Sequence, residues 1–233
     1  MSSLRSEIHT ALHAMPHAKL FHAALTTLWL LAAALASAAT IMTDWTVNAA
    51  VPDNSPTGLV DTRVISGSAI LGITSVEVRL EFSGGWNGDL YAYLAHDSGF
   101  SVLLNRPGRT ALNSLGAGSS GMVVTLSDVA GIDIHTGLAS SGFATGTYQP
   151  DARAVDPGLA LDTSPRGSFL SNFNGLAANG PWTLFVSDHE AADQSTLVGW
   201  GLTIHGAVPE PSRTLLLMIG FGGVILRRRN TAA

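Results

Sequence analysis

The chain has 233 residues, 46% hydrophobic and only 12% charged, with a formal net charge of −5 at neutral pH. That composition excludes an intrinsically disordered tail, and the lack of an internal basic stretch argues against a nucleic-acid partner. There is no cysteine, so an exported form would rely on its core and on any bound metal rather than on disulfides.

From Phe21 to Leu35 the chain reads FHAALTTLWLLAAAL, preceded by Arg5 and Lys19 and followed by Ala36, Ser37 and Ala38. A basic leader, a short apolar core and a small-x-small site describe a secretory signal peptide over residues 1–38. The run is short for a permanent membrane anchor. Ala39 is the expected first residue of an exported domain covering residues 39–207.

Within that domain, Val76 to Phe82 alternates apolar and charged residues, the pattern of a half-buried antiparallel strand. A turn around Gly84, Gly85, Asn87 and Gly88 follows. Asp89 to Ala95 resumes as a strand, with Leu90, Ala92 and Leu94 on one face and Tyr91 and Tyr93 on the other. Ser101–Leu104 and Met122–Leu126 are shorter strands. The stretch from Gly131 to Ser168, rich in glycine and proline, is expected to meander over the surface. Trp182–Ser187 and Trp200–His205 close the domain, each with its tryptophan in phase with the apolar residues and therefore in the core. Many short strands with no sustained helical period predict an all-β sandwich of jelly-roll type.

The chain ends with Val208-Pro209-Glu210-Pro211-Ser212, an apolar run from Thr214 to Leu226, and Arg227, Arg228 and Arg229. The prolines stop the domain. As a short helix of roughly 20 Å, the run falls short of a hydrocarbon core of about 30 Å. The arginines read as a cytoplasmic stop. In this order the three parts over residues 208–233 resemble the PEP-CTERM sorting signal of Gram-negative bacteria. The resemblance implies recognition and removal of the tail by an exosortase, with transient membrane association. It also implies a mature protein at the cell surface or beyond, often among exopolysaccharide.

A second resemblance lies in the body. Phe173-Asn174-Gly175, Asn179-Gly180-Pro181-Trp182-Thr183-Leu184 and the strand ending at Asp188 resemble the proprotein convertase P-domain (P/Homo B). So do Asp193 to Leu197 with Gly199-Trp200-Gly201-Leu202, and upstream Gly88-Asp89-Leu90. The resemblance spans about Leu59 to Gly206 and implies a β jelly roll. Ser195 stands where that family usually has glycine.

P-domains commonly follow a subtilisin-like protease domain, but too few residues lie between Ala39 and the first strand to hold one. His96, His135, His189 and His205 show no spacing that marks a triad, and no G-x-S-x-G turn occurs. The expectation is a non-catalytic surface or matrix module that binds polysaccharide or a surface protein. The alternative is an accessory partner of a separately encoded subtilisin-like protease. Asp89, Asp188 and Asp193 are the candidate ligands for a structural calcium, with turn capping as the competing role for Asp188 and Asp193. Tyr91 and Tyr93 are the candidate exposed contacts.

Overall fold

The computed structural model describes residues 36–209. Most of the expected signal segment, and Glu210, Pro211, Arg227, Arg228 and Arg229 of the sorting tail, lie outside the described residues. Nine strands form two sheets: β1 (Ala36–Ala50), β2 (Ser55–Ile65), β3 (Gly72–Gly84), β4 (Leu90–His96), β5 (Gly99–Asn105), β6 (Met122–Ser127), β7 (Ala144–Tyr148), β8 (Gly180–Asp188) and β9 (Ser195–Pro209). A single helical turn, α1 (Ile134–Gly137), precedes β7. One sheet runs β1-β9-β3-β6-β7 and the other β2-β8-β4-β5. Apart from the β4–β5 hairpin and the edge strand β7, successive strands alternate between the sheets as in two interlocked Greek keys, so the domain is a jelly-roll sandwich.

The six expected strands all form. In β3, Val76, Val78, Leu80 and Phe82 face the core, and Leu90, Ala92 and Leu94 do so from β4. Trp182 and Trp200 are fully buried among them. Trp200 also donates its indole N–H to Asp61 Oδ2 at 2.7 Å.

Three parts differ from the sequence reading. First, β1 begins at Ala36, so the strand includes the small residues read as a cleavage site. Its alternation puts Ile41, Trp45 and Val47 against the core, and Trp45 lies 4.6 Å from the Trp200 ring. Second, β2 inverts the usual pattern. It turns Asp61 and Arg63 inward, paired at 2.7 Å, and leaves Val60 and Val64 exposed. An apolar-in reading therefore fails on this strand.

Third, Gly131 to Ser168 is not a surface meander throughout. It holds α1 and the parallel edge strand β7, and its Asp151–Arg153 stretch is buried along β5. The amides of Asp151 and Ala152 donate to the carbonyls of Leu103 and Val102. Charge pairing makes this burial tolerable. Asp151 Oδ2 accepts from His135 Nδ1 at 2.8 Å, and Asp151 Oδ1 from Arg153 at 3.2 Å; Arg153 also reaches Asp133 at 2.9 Å. His135 Nε2 donates to the Arg109 carbonyl. Burial lowers the His135 pKa, but the bonds to Asp151 and Arg109 outweigh it and raise the imidazole above its ordinary value.

Candidate functional site

The outward face of the four-stranded sheet carries an aromatic strip. The antiparallel registers set Val60 of β2 opposite Phe185 of β8, and Phe185 opposite Tyr93 of β4. Every second residue of a strand shares a face, so these three form one row. The rings of Tyr93 and Phe185 stack at 4.8 Å with 16° between their planes. Phe100 of β5 lies 5.1 Å from Tyr93. Tyr91 meets Tyr93 at 6.0 Å, Phe185 at 6.3 Å and His189 at 6.1 Å, each edge-on. Beside the row, Thr62 and Thr183 share a hydroxyl hydrogen bond of 2.9 Å. Gly58 permits the close passage of β2, because a Cβ there would run into the Phe185 ring and the Val186 carbonyl.

The strip stays partly exposed. Tyr91, Tyr93 and Phe185 are half-buried, while Val60, Val64 and Phe100 are exposed. A contiguous apolar sheet face open to water is the feature that marks a contact surface rather than a scattered residue. Burial raises the Tyr91 phenol above its ordinary pKa, with repulsion from Tyr93 and Asp151 adding to it, so the hydroxyl stays neutral and able to donate.

One end of the strip meets a carboxylate-rich rim. His189, next to Tyr91, lies near the charges of Asp156 and Glu190; burial and Arg106 lower its pKa, leaving a neutral imidazole near pH 7. Asp89 sits just before β4 and Asp188 ends β8, opposite Leu90. Arg106 is buried here and extends to Glu190 Oε1 at 2.8 Å, Asp89 Oδ1 at 3.6 Å and the Gly88 carbonyl at 2.8 Å. Gly88 can approach because a Cβ there would meet the main chain of Leu115, Gly116 and Ala117. Burial pushes Asp89 up to about 7; Arg106 opposes the rise, and Asp188, Glu190 and Asp193 add to it.

Of the three carboxylates read as calcium ligands, Asp89 and Asp188 stand together at this rim. Asp193 is exposed on the turn into β9, with φ 61°. Asp188 does cap a turn: its Oδ1 accepts from the Glu190 amide at 3.1 Å. Among the described residues, no three His, Asp or Glu side chains already stand at metal-ligand spacing. Arg106 escaped the sequence reading, because a buried arginine carries no local signature.

His96 and His205 are engaged elsewhere. His96 lies flat on Trp182 at 3.9 Å, with both ring nitrogens bonded to the Pro181 and Ala177 carbonyls. His205 meets Thr40 at 2.9 Å. His189 Nε2 contacts Ser187 Oγ at 3.0 Å, but Ser187 is buried, and among the described residues no carboxylate hydrogen-bonds that imidazole. A serine nucleophile needs an exposed hydroxyl and an oriented base.

No protein-family profile matches the chain, and no curated protein is similar to it. Among solved structures, the Aeromonas sobria serine protease in complex with its chaperone aligns with a TM-score of 0.42 and 16% identity, covering 73% of this chain and 27% of that one. The Aeromonas sobria serine protease alone aligns with a TM-score of 0.38 and 18% identity, covering 74% of this chain and 28% of that one. The chain thus spans little more than a quarter of the length of these structures.

Proposed function

We propose that the protein is a non-catalytic, exported surface module with a P-domain-like jelly roll, and that the outer face of its four-stranded sheet binds neutral polysaccharide. The supporting observation is the aromatic strip of Tyr91, Tyr93, Phe185 and Phe100 beside a carboxylate rim. A pyranose ring pairs an apolar C–H face with a rim of hydroxyls. Half-exposed rings accept the first, and Glu190, Asp156 and Asp193 can accept hydrogen bonds from the second. A net charge of −5 repels an acidic glycan, which favours a neutral one.

Export and sorting belong to the same reading. The basic leader, Ala36-Ser37-Ala38, the Pro209-Glu210-Pro211 motif and Arg227 to Arg229 support secretion followed by exosortase release. Intact-mass measurement of the native protein from membranes, culture supernatant and extracellular matrix tests this step. The expected species runs from near Ala39 to near Pro209 and sits in the matrix. A membrane species that keeps Arg227 to Arg229 would contradict release and make the tail an anchor.

A further inference from the structure

The rim where β4 and β8 meet is short of positive charge. Asp188 is fully buried and points inward in phase with Trp182, Leu184 and Val186. Its Oδ1 holds the Glu190 amide and the Asn54 amide also steadies the charge, but Oδ2 is buried and makes no full hydrogen bond to any of the described residues. The neighbouring Asp89 is also buried, and among the described residues its carboxylate has only Arg106 at 3.6 Å. Asp53, Glu190 and Asp193 add their charges to the same rim. Among the described residues facing it, the cation is Arg106, and that guanidinium is closer to Glu190 than to Asp89. Buried carboxylates are stable when paired or when they coordinate a metal, and an orphan oxygen in a folded interior calls for a partner.

We propose that this rim binds one divalent cation of calcium type, held by the carboxylates of Asp89 and Asp188. Calcium accepts two carboxylates together with main-chain carbonyls and water in a loose geometry, which suits a rim with no ready-made third side chain. Magnesium demands a stricter octahedron and fits less well. The turn 51–54 and the segment 189–195 that follows Asp188 are already tied together, through Val51 N to Ser195 O and Ala192 N to Asp53 Oδ2. A bound cation would fasten both turns to the end of the sheet. The site does not depend on the polysaccharide reading, because its readout involves no glycan.

The test is thermal melting of the chelator-stripped full chain across a calcium titration, with equilibrium dialysis to count bound metal. The expected result is a saturable rise of about 5–10 °C at calcium roughly a hundredfold above the dissociation constant. Dialysis should count one calcium per chain. Asp188→Asn should abolish both the rise and the bound calcium. In chelator, D188N should melt at or above the wild type, since a neutral amide relieves carboxylate repulsion while still accepting from Glu190. Asp89→Asn should weaken the calcium response in the same direction. Calcium-independent melting of the wild type, or a calcium response that survives in D188N, would overturn the site.

Discussion

Asp151→Ala is expected to destabilise the domain by about 3–5 kcal/mol, the cost of removing one partner from a buried ion-paired network. Asp151 is fully buried, and one carboxylate serves three elements at once. It accepts from the Asn105 amide at the end of β5, from His135 in α1 and from Arg153 in the following segment. Truncation takes the shared carboxylate from His135 and Arg153, 1% and 2% exposed, and leaves Arg153 with Asp133 alone as its counter-ion among the described residues. It also frees the segment that covers β5. Asp151→Asn keeps the shape and some acceptors but not the charge, so it should fall between wild type and alanine. Urea denaturation checks the ordering. A double-mutant cycle with Arg153→Met should show coupling well beyond the few tenths of a kcal/mol expected of independent sites. A D151A midpoint equal to wild type would mean the long segment is not fastened by this node.

Trp182→Ala should cost a similar amount, about 3–5 kcal/mol, for a different reason. The indole is fully buried, stacked on His96 at 3.9 Å and tilted against Phe173 at 5.2 Å. Its N–H donates to the Ala178 carbonyl at 3.0 Å. Removal opens a cavity between the sheets and takes away the surface on which His96 rests. Gly99 is fitted to the same cluster, since a Cβ there would strike the Phe173 ring. Trp182→Phe should recover part of the loss, because an aromatic face for His96 returns without the indole hydrogen bond. The denaturation midpoint decides, and a W182A loss within the range of surface substitutions would contradict the placement of Trp182 at the centre of the core.

The legible part of the fold was wherever burial follows hydrophobicity. In β3, β4, β8 and β9 the inward residues are apolar except at strand ends such as His96 and Asp188, so period-two alternation found most of them. It failed on β2, where Asp61 and Arg63 face inward because they pair with each other and with Trp200, and Val60 and Val64 face out. It failed on Asp151 and Arg153 for the same reason. Paired charges can be buried, but no local pattern announces the pairing. β1 was hidden by its alanines, which suit a cleavage site and a strand equally.

The candidate surface was half legible. Tyr91 and Tyr93 lie opposite the apolar residues of their strand, and the structure keeps them on the outer face. Phe185 stands in the same outward phase of β8, between Leu184 and Val186, and alternation alone could have marked it. Phe100 joins only through the β4–β5 register, which no short-range signal sets. Arg106 reaches the rim from just past the end of β5, seventeen positions along the chain from Asp89, so the charge balance around Asp89 exists only in three dimensions.

The central claim is that the outer aromatic face holds a neutral glycan, and co-sedimentation of the full chain with insoluble neutral polysaccharide tests it most directly. The wild type should bind, and acidic polysaccharide should compete poorly. Tyr93→Ala and Phe185→Ala should each weaken binding by about 1–3 kcal/mol, roughly ten- to a hundredfold, while melting close to the wild type. Undiminished binding in both variants, or no glycan binding alongside stoichiometric capture of a subtilisin-like protease from the host, would contradict the account and move the function to a protein partner.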